Sequence, residues 1–566
     1  MRAGWISMLL LCCGDGASKP DLDASPPVDA GPDGADPDGA PGQDASSGAD
    51  ASAEVIEPED PGAGDIRIEV DTTAERVPIS RYVYGTNHPE WGGAARGLTL
   101  SRAGGNRWTA YNWENNASNA GSDWNHQNDG YLGGGDGPGE AVRELVAAAH
   151  AASASEIVTV PIVGYVAADK DGDGDVANTP DYLATRFHRS FARKGSAFSD
   201  PPDTGDDVVF QDEFVAWLES EFPGAHADPE RAIFYSLDNE PDLWSSTHPR
   251  IHPDPVGYDE LVELNVEYAA AIKDVAPEAV ILGPVNYGWA GYVDLQSAPD
   301  AGGRDFLDYW LDRMSAAEAL AGRRLVDVLD LHWYPEAQGG GVRITGADAS
   351  DPVAQARIQA PRSLWDADYI EDSWIAQWST GGPIALIPRV RGKIEAHYPG
   401  TKLGFTEYYY GGGTHISGAL AEADVLGIFG REGVFEACLW GGSADEDRFI
   451  YAAFKMYVDY DGAGGAFGST SVAAHVSDIE IGSAHASTGT GTPGQVVMVL
   501  LNKGQSELSA AILVRHTSLL ARAERYELTA ATAAPVQGGA VGLAARNSLL
   551  VVLPPLSVTT LVLSPG

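Results

Sequence analysis

The chain has 566 residues, enough for a large core and more than one domain. Its 36 Lys and Arg stand against 81 Asp and Glu, a formal charge of −45. That balance argues against nucleic acid or an anionic membrane surface as a partner and leaves a neutral polymer open. The three cysteines, Cys12, Cys13 and Cys438, supply no disulfide framework.

Residues 1–13 (MRAGWISMLLLCC) have one Arg, a short apolar run and two cysteines. They read as a secretory or lipoprotein leader with Cys12 or Cys13 as candidate lipid acceptor, so a secreted or outer-surface location is expected. The run is too short to span a membrane. Residues 14–64 form a linker of Asp, Pro, Gly and Ala. From Pro20 to Asp65 it holds 13 acids and no Lys or Arg, a composition expected to stay disordered.

Order is expected from Asp65. The alternation in 66–72 marks a half-buried strand that should join a C-terminal sheet. Eight apolar runs follow, at 81–87, 98–106, 156–164, 232–240, 279–286, 325–335, 402–410 and 434–442. Helical patterns lie between several, as at 139–153, 258–276 and 303–322. Alternating strands and helices imply a parallel sheet, and eight strands imply a closed (β/α)8 barrel over 65–465. After that the helices stop. Residues 466–566 alternate as strands and predict a small antiparallel β-sandwich.

Within this frame, Ala232–His252 stands out. Its strand ends at Asp238-Asn239-Glu240-Pro241, where proline halts the ladder and holds Glu240 out of the helical region. A second strand ends at Glu407, followed by aromatics and glycines. Carboxylates at two strand tips, on the edge where barrels build active sites, suit glycosidic bond cleavage and need no cofactor for catalysis. Asn239 is a candidate donor to a sugar hydroxyl. His332 and Tyr334 end the strand beside Glu407, where a donor would keep a nucleophilic carboxylate ionised. Trp440 could floor a sugar subsite. The loop at 102–128 is dense in Asn, Trp and Tyr, and Trp124 is taken from it as a rim residue beside Trp108 and Trp113. Asp169, Asp171, Asp173 and Asp175 alternate in ADKDGDGDVANTP like the start of a calcium loop. Its twelfth position is Pro180 where an EF-hand has Glu, so a structural calcium and a solvated acidic turn both stand. HExxH, GxSxG and P-loop patterns are missing from the sequence.

The stretches YVYGTN, RAGGNRWTAYNWENNASNAGSDW, YSLDNEPDLWSSTH, DLHWYP and GFTEYYYGG resemble glycoside hydrolase family 44. The resemblance covers roughly residue 66 to the C-terminus. It implies a (β/α)8 barrel with a β-sandwich and retaining endo-β-1,4-glucanase or xyloglucanase activity on a β-glucan polysaccharide. Glu240 then matches the acid/base and Glu407 the nucleophile, and calcium binding is known among its members. An exo-acting xylosidase or arabinofuranosidase shares the architecture and is the alternative. A polysaccharide-binding protein with a dead site is the alternative of another class.

Overall fold

The computed structural model describes residues 54–566. The expected leader, with Cys12 and Cys13, and the acidic stretch up to Ala53 lie outside the described residues. Among the described residues, no helix is long and apolar enough to cross a membrane.

Strand β1 (Ile66–Asp71) precedes the barrel, whose eight strands follow in chain order. They are β2 (Gly85–Asn87), β3 (Leu100–Ala103), β4 (Ser155–Val160), β5 (Ile233–Leu237), β6 (Val280–Asn286), β7 (Val328–Trp333), β8 (Lys402–Tyr408) and β9 (Glu436–Leu439). Each pairs in parallel with its predecessor, and β9 closes on β2 through Cys438 opposite Gly85. Every residue of β4, β5 and β7 is buried, which is why these strands read as continuous apolar runs. Most connections run through helices that turn one apolar face inward. In Glu140–Ala151 that face is Ala141, Val142, Val146 and Ala149. Cys438 is fully buried, a small hydrophobe inside the barrel.

The C-terminal part is one curled ten-stranded sheet that folds back on itself. Its strands are β10 (Thr470–Val476), β11 (Gly482–Thr488), β12 (Val496–Asn502), β13 (Leu508–Arg515), β14 (Leu520–Thr529), β15 (Thr532–Gln537), β16 (Ser548–Leu553) and β17 (Ser557–Pro565), with β1 and the short Val77–Pro78. The core between its two halves is aliphatic and includes Ile66, Ile68, Val70, Met498, Leu500, Ile512 and Val551. β1 lies between β10 and β13. It is antiparallel to the first and parallel to the second, so the expectation of a purely antiparallel sheet needs one correction.

The sheet also covers the helix Ile416–Arg431. That helix is buried along nearly its whole length, because the barrel packs on one side and the sheet on the other. The contact includes a buried ionic group: Asp424 accepts from His485 Nε2 at 2.9 Å and pairs with Lys503 Nζ at 2.9 Å. Burial works against the charge on Asp424, but Lys503 and His485 outweigh it and hold the carboxyl below its ordinary range. Gly427 makes room for this group, since a Cβ there would sit 2.2 Å from the His485 ring.

The linker expected over 14–64 ends earlier than its composition suggests. Ile56 bridges His516 on the sheet through N–H···O bonds of 2.8 and 3.4 Å. Glu57 pairs with Arg515 at 2.8 Å and Glu59 with Arg546 at 3.3 Å. Glu57 and Glu59 therefore meet arginines supplied by the far end of the chain.

Candidate active site

The turn after β5 is built from backbone that L-residues rarely adopt. Asp238 (φ 69°) and Glu240 (φ 45°) both take left-handed conformations, each at a cost of about 1–2 kcal/mol. Glu240 thus lies outside the right-handed helical region, in the left-handed one. Tertiary bonds hold the turn: Glu240 N donates to Val285 O at 3.0 Å, and Leu243 N donates to Glu240 O at 2.8 Å. Asp238, buried below, accepts from Thr109 Oγ1 at 2.7 Å and Ile162 N at 2.7 Å. The outcome is a Glu240 side chain aimed across the barrel mouth.

Glu407 stands near the end of β8, opposite His332 of β7 in the parallel register. Arg102, fully buried at the end of β3, donates to Glu407 Oε1 at 2.7 Å and to Asn239 Oδ1 at 2.9 Å. Tyr334 OH donates to Glu407 Oε2 at 2.6 Å. Asn87, at the tip of β2, accepts from Arg102 at 3.3 Å and donates to Thr406 O at 2.9 Å. His332 Nδ1 lies 2.9 Å from Glu240 Oε1 and 3.4 Å from Glu407 Oε2. Among the described residues, Glu240, His332 and Glu407 are the one group of His, Cys or carboxylate side chains whose ligand-type atoms converge, all within 4.8 Å of one another.

The electrostatics separate the two carboxyls. Burial pushes the Glu240 carboxyl well up, and the negative charges of Glu407 and Asp242 push it further. Burial also raises Glu407, but there Arg102 and Tyr334 pull back toward the ionised form. Burial, helped by the Arg102 charge, lowers the His332 ring well below its ordinary range, so the imidazole is neutral. Glu240 is thus pushed toward its acid form by burial and neighbouring charge, whereas Glu407 has a cation and a phenol hydroxyl that favour its anion against the effect of burial.

The remaining expected site residues fall into two sets. Asn239 spends both ends of its amide on protein: Oδ1 takes Arg102 and Gly105 N, and Nδ2 donates to Asn106 Oδ1 at 3.3 Å. His332 is fully buried, and its Nδ1 lies nearer Glu240 than Glu407. Trp440 follows β9 and lies against Gly105, where a Cβ would come within 2.6 Å of its ring. Trp124 is 48% exposed at the rim. Its neighbour Asp123 accepts from Asn106 Nδ2 at 3.0 Å, which ties the rim to Asn239. Trp108 and Trp113 are core residues.

In the aspartate loop the carboxylates meet arginines. Arg186 pairs with Asp169 at 2.8 Å and Asp173 at 3.1 Å, and Arg250 grips Asp175 through bonds of 2.9 and 2.6 Å. Asp171 is exposed. The four carboxylates do not converge, and two guanidinium groups offset their repulsion. Arg102 and Asn87 were not singled out from the sequence. The signal available for Arg102 was a lone cation inside the strand LTLSRA, which needs a buried partner.

Three comparisons bear on this geometry. Residues 117–337 match the model of glycoside hydrolase family 44. The endoglucanase A of Paenibacillus lautus is 43% identical over 455 residues, which is 78% of this chain and 64% of that protein; the chain thus spans under two thirds of that relative. Among solved structures, the family 44 xyloglucanase of Paenibacillus polymyxa with xyloglucan aligns at a TM-score of 0.84 and 40% identity, covering 88% of this chain and 100% of that one. The family 44 endoglucanase of Clostridium thermocellum aligns at 0.83 and 41% identity, covering 89% and 100%. With the barrel, the curled sheet and both strand-tip glutamates in these positions, the chain belongs to glycoside hydrolase family 44.

Proposed function

We propose that the protein is a retaining endo-acting glycoside hydrolase that cuts internal β-1,4-glucosidic bonds in a cellulose-like glucan or xyloglucan. One observation carries the reading: Glu240 and Glu407 place carboxyl oxygens within 4.8 Å of each other. That spacing fits double displacement, where the carboxyls stand about 5–5.5 Å apart, and leaves too little room for the water of an inverting site. The names of the xyloglucanase and endoglucanase relatives support the substrate class.

In the first step Glu407 attacks the anomeric carbon as the glycosidic bond breaks, and Glu240 gives its proton to the departing oxygen. Arg102 and Tyr334 hold the attacking carboxylate. In the second step Glu407 is a neutral ester, so Glu240 no longer faces a negative charge. It takes a proton from water, which attacks the same carbon and releases Glu407. Placement outside the cell, through the leader at 1–13, belongs to the same proposal.

The test is a viscometric and product-size assay on xyloglucan and a soluble cellulose, with the anomer of the first product read by NMR. Early viscosity loss and a β-anomer are expected. Monosaccharide release without viscosity loss would favour the exo-acting alternative, an α-anomer would sink retention, and binding without turnover would favour the dead-site alternative.

A further inference from the structure

Beneath the two glutamates runs a chain of hydrogen bonds that the double displacement above leaves unused. Asp330, fully buried on β7, accepts from Thr406 N at 3.0 Å and from Thr406 Oγ1 at 2.7 Å. Thr406 Oγ1 lies 3.2 Å from His332 Nε2, and His332 Nδ1 lies 2.9 Å from Glu240 Oε1. A hydroxyl has one proton. If Thr406 gives it to Asp330, the oxygen can only accept from the ring, so Nε2 carries the ring hydrogen and Nδ1 offers a lone pair. A lone pair facing Glu240 is satisfied only when Glu240 carries the proton.

We propose that Asp330 and Thr406 are positioning residues that fix the tautomer of His332 and thereby keep Glu240 protonated in the resting enzyme. This rests on the assignment of Glu240 as the acid/base. Every link lies on β7, on β8 or in the turn after β5. Its direction depends on Asp330 being ionised. Burial raises that carboxyl to about 6, while Arg102 and the two Thr406 donors oppose the rise, so it is an anion at neutral pH. If Asp330 were protonated, the relay would reverse. Thr406 would donate to Nε2, and Nδ1–H would donate to Glu240 and favour its anion.

The other groups facing this centre are Arg102 and Glu407, already paired, and Asp242 and Asp123, which add negative charge toward Glu240. Tyr334 and Tyr287 face it from the ends of β7 and β6, and Tyr292 OH donates to the His332 carbonyl. Glu436 and Cys438 lie below Asp330 on β9. None of these supplies Nε2 with another acceptor. Once Glu240 has protonated the leaving group, the Nδ1 lone pair faces a bare carboxylate. That contact raises its appetite for a proton and makes it a better base toward water.

The experiment pairs a ring readout with a pH profile. In full-chain protein labelled with 15N-histidine, the His332 ring is assigned among the 13 histidines by its loss in His332→Gln. At pH 7 it is expected as the Nε2–H tautomer. Asp330→Asn replaces an acceptor by an amide that donates to Thr406, so the ring should switch to Nδ1–H. The alkaline limb of kcat/KM on the glucan should move about one unit toward lower pH. Thr406→Ser should keep both wild-type properties, and Thr406→Val should lose both. That pair carries the test if Asp330→Asn fails to fold. A wild-type ring found as Nδ1–H or as imidazolium would overturn the relay, as would an Asp330→Asn protein with unchanged ring and limb. The ring signals need no substrate. A protein that cleaves no glucan yet shows the Nε2–H ring refutes the retaining reading and leaves the relay supported.

Discussion

Ile68, Leu500 and Ile512 in the sheet, and Arg102, Glu156 and Glu436 in the barrel, are all withdrawn completely from water. The two interiors nevertheless differ in kind. The sheet is filled with aliphatic side chains, each contributing about 1.5–3 kcal/mol on burial. The barrel axis holds one guanidinium, four carboxyls counting Asp330 and Glu407, a thiol and a neutral imidazole. Both oxygens of Glu436 lack a hydrogen-bond partner, and burial pushes the Glu436 carboxyl well up and that of Glu156 to about 8. Such groups cost stability and lie directly beneath the reacting pair. The barrel gathers the charged groups, while the sheet supplies cohesion.

The largest effects should come from breaking the barrel side. Glu407→Gln should lower turnover by roughly 10⁴-fold or more with little change in melting temperature. Glu240→Gln should lower it by about 10²–10⁴-fold on a natural glucan. A substrate with a good leaving group should partly rescue the Glu240 variant and not the Glu407 variant; equal rescue of both would reverse or void the two roles.

On the sheet side, Ile512→Ala should cost about 2–5 kcal/mol of stability. Its kcat per folded molecule should stay at the wild-type value, measured well below the melting point. A fall in kcat at full folding would mean that the sheet shapes the cleft.

Glu156 sharpens the comparison through pH. Its folded pKa of about 8 lies above its value of about 4.5 in the unfolded chain. The folded state therefore binds more protons between those values, and stability falls as pH rises through that window. The slope is at most about 1.4 kcal/mol per pH unit. Glu156→Gln should flatten this dependence, so the variant should gain on wild type in melting temperature between pH 5 and 8. Parallel curves would mean that the wild-type carboxyl is already ionised in the fold.

The smallest effect concerns the N-terminal edge of the sheet. Removing residues 1–53 should leave the melting temperature unchanged, whereas removing 1–64 also deletes the Ile56 bridge and the pairs of Glu57 and Glu59. Exposed ion pairs are worth about 0–1 kcal/mol each, so a drop of a few degrees at most should separate the two truncations in calorimetry. Identical melting would show that this segment does not hold to the sheet in solution.

The barrel was legible because strands buried on both faces appear as unbroken apolar runs, and Glu240 and Glu407 because carboxylates interrupt such runs at their ends. What could not be read was pairing across the chain. Arg102 meets Glu407 305 residues away, and no local pattern signals that contact. The aspartate loop stayed open for a related reason: alternate acids look the same whether calcium or arginine offsets them, and Arg186 and Arg250 lie outside the loop. His332 reads as a neighbour of Glu407 alone, and its link to Glu240 depends on the barrel's curvature, which spacing does not encode.

The position of β1 has a consequence for how the chain is made. Its partners opposite Ile68 and Ile66 are Val476 and Ala510, roughly 400 residues later. At about 5–20 residues per second of synthesis, this strand leaves the ribosome about 20–80 s before either neighbour exists. Throughout that interval Ile66, Ile68 and Val70 form an aliphatic stripe on an unpaired edge, the kind of surface that recruits strands from other chains. The barrel can assemble while translation continues, but the sheet cannot begin to close around its first strand until most of the protein has been synthesised.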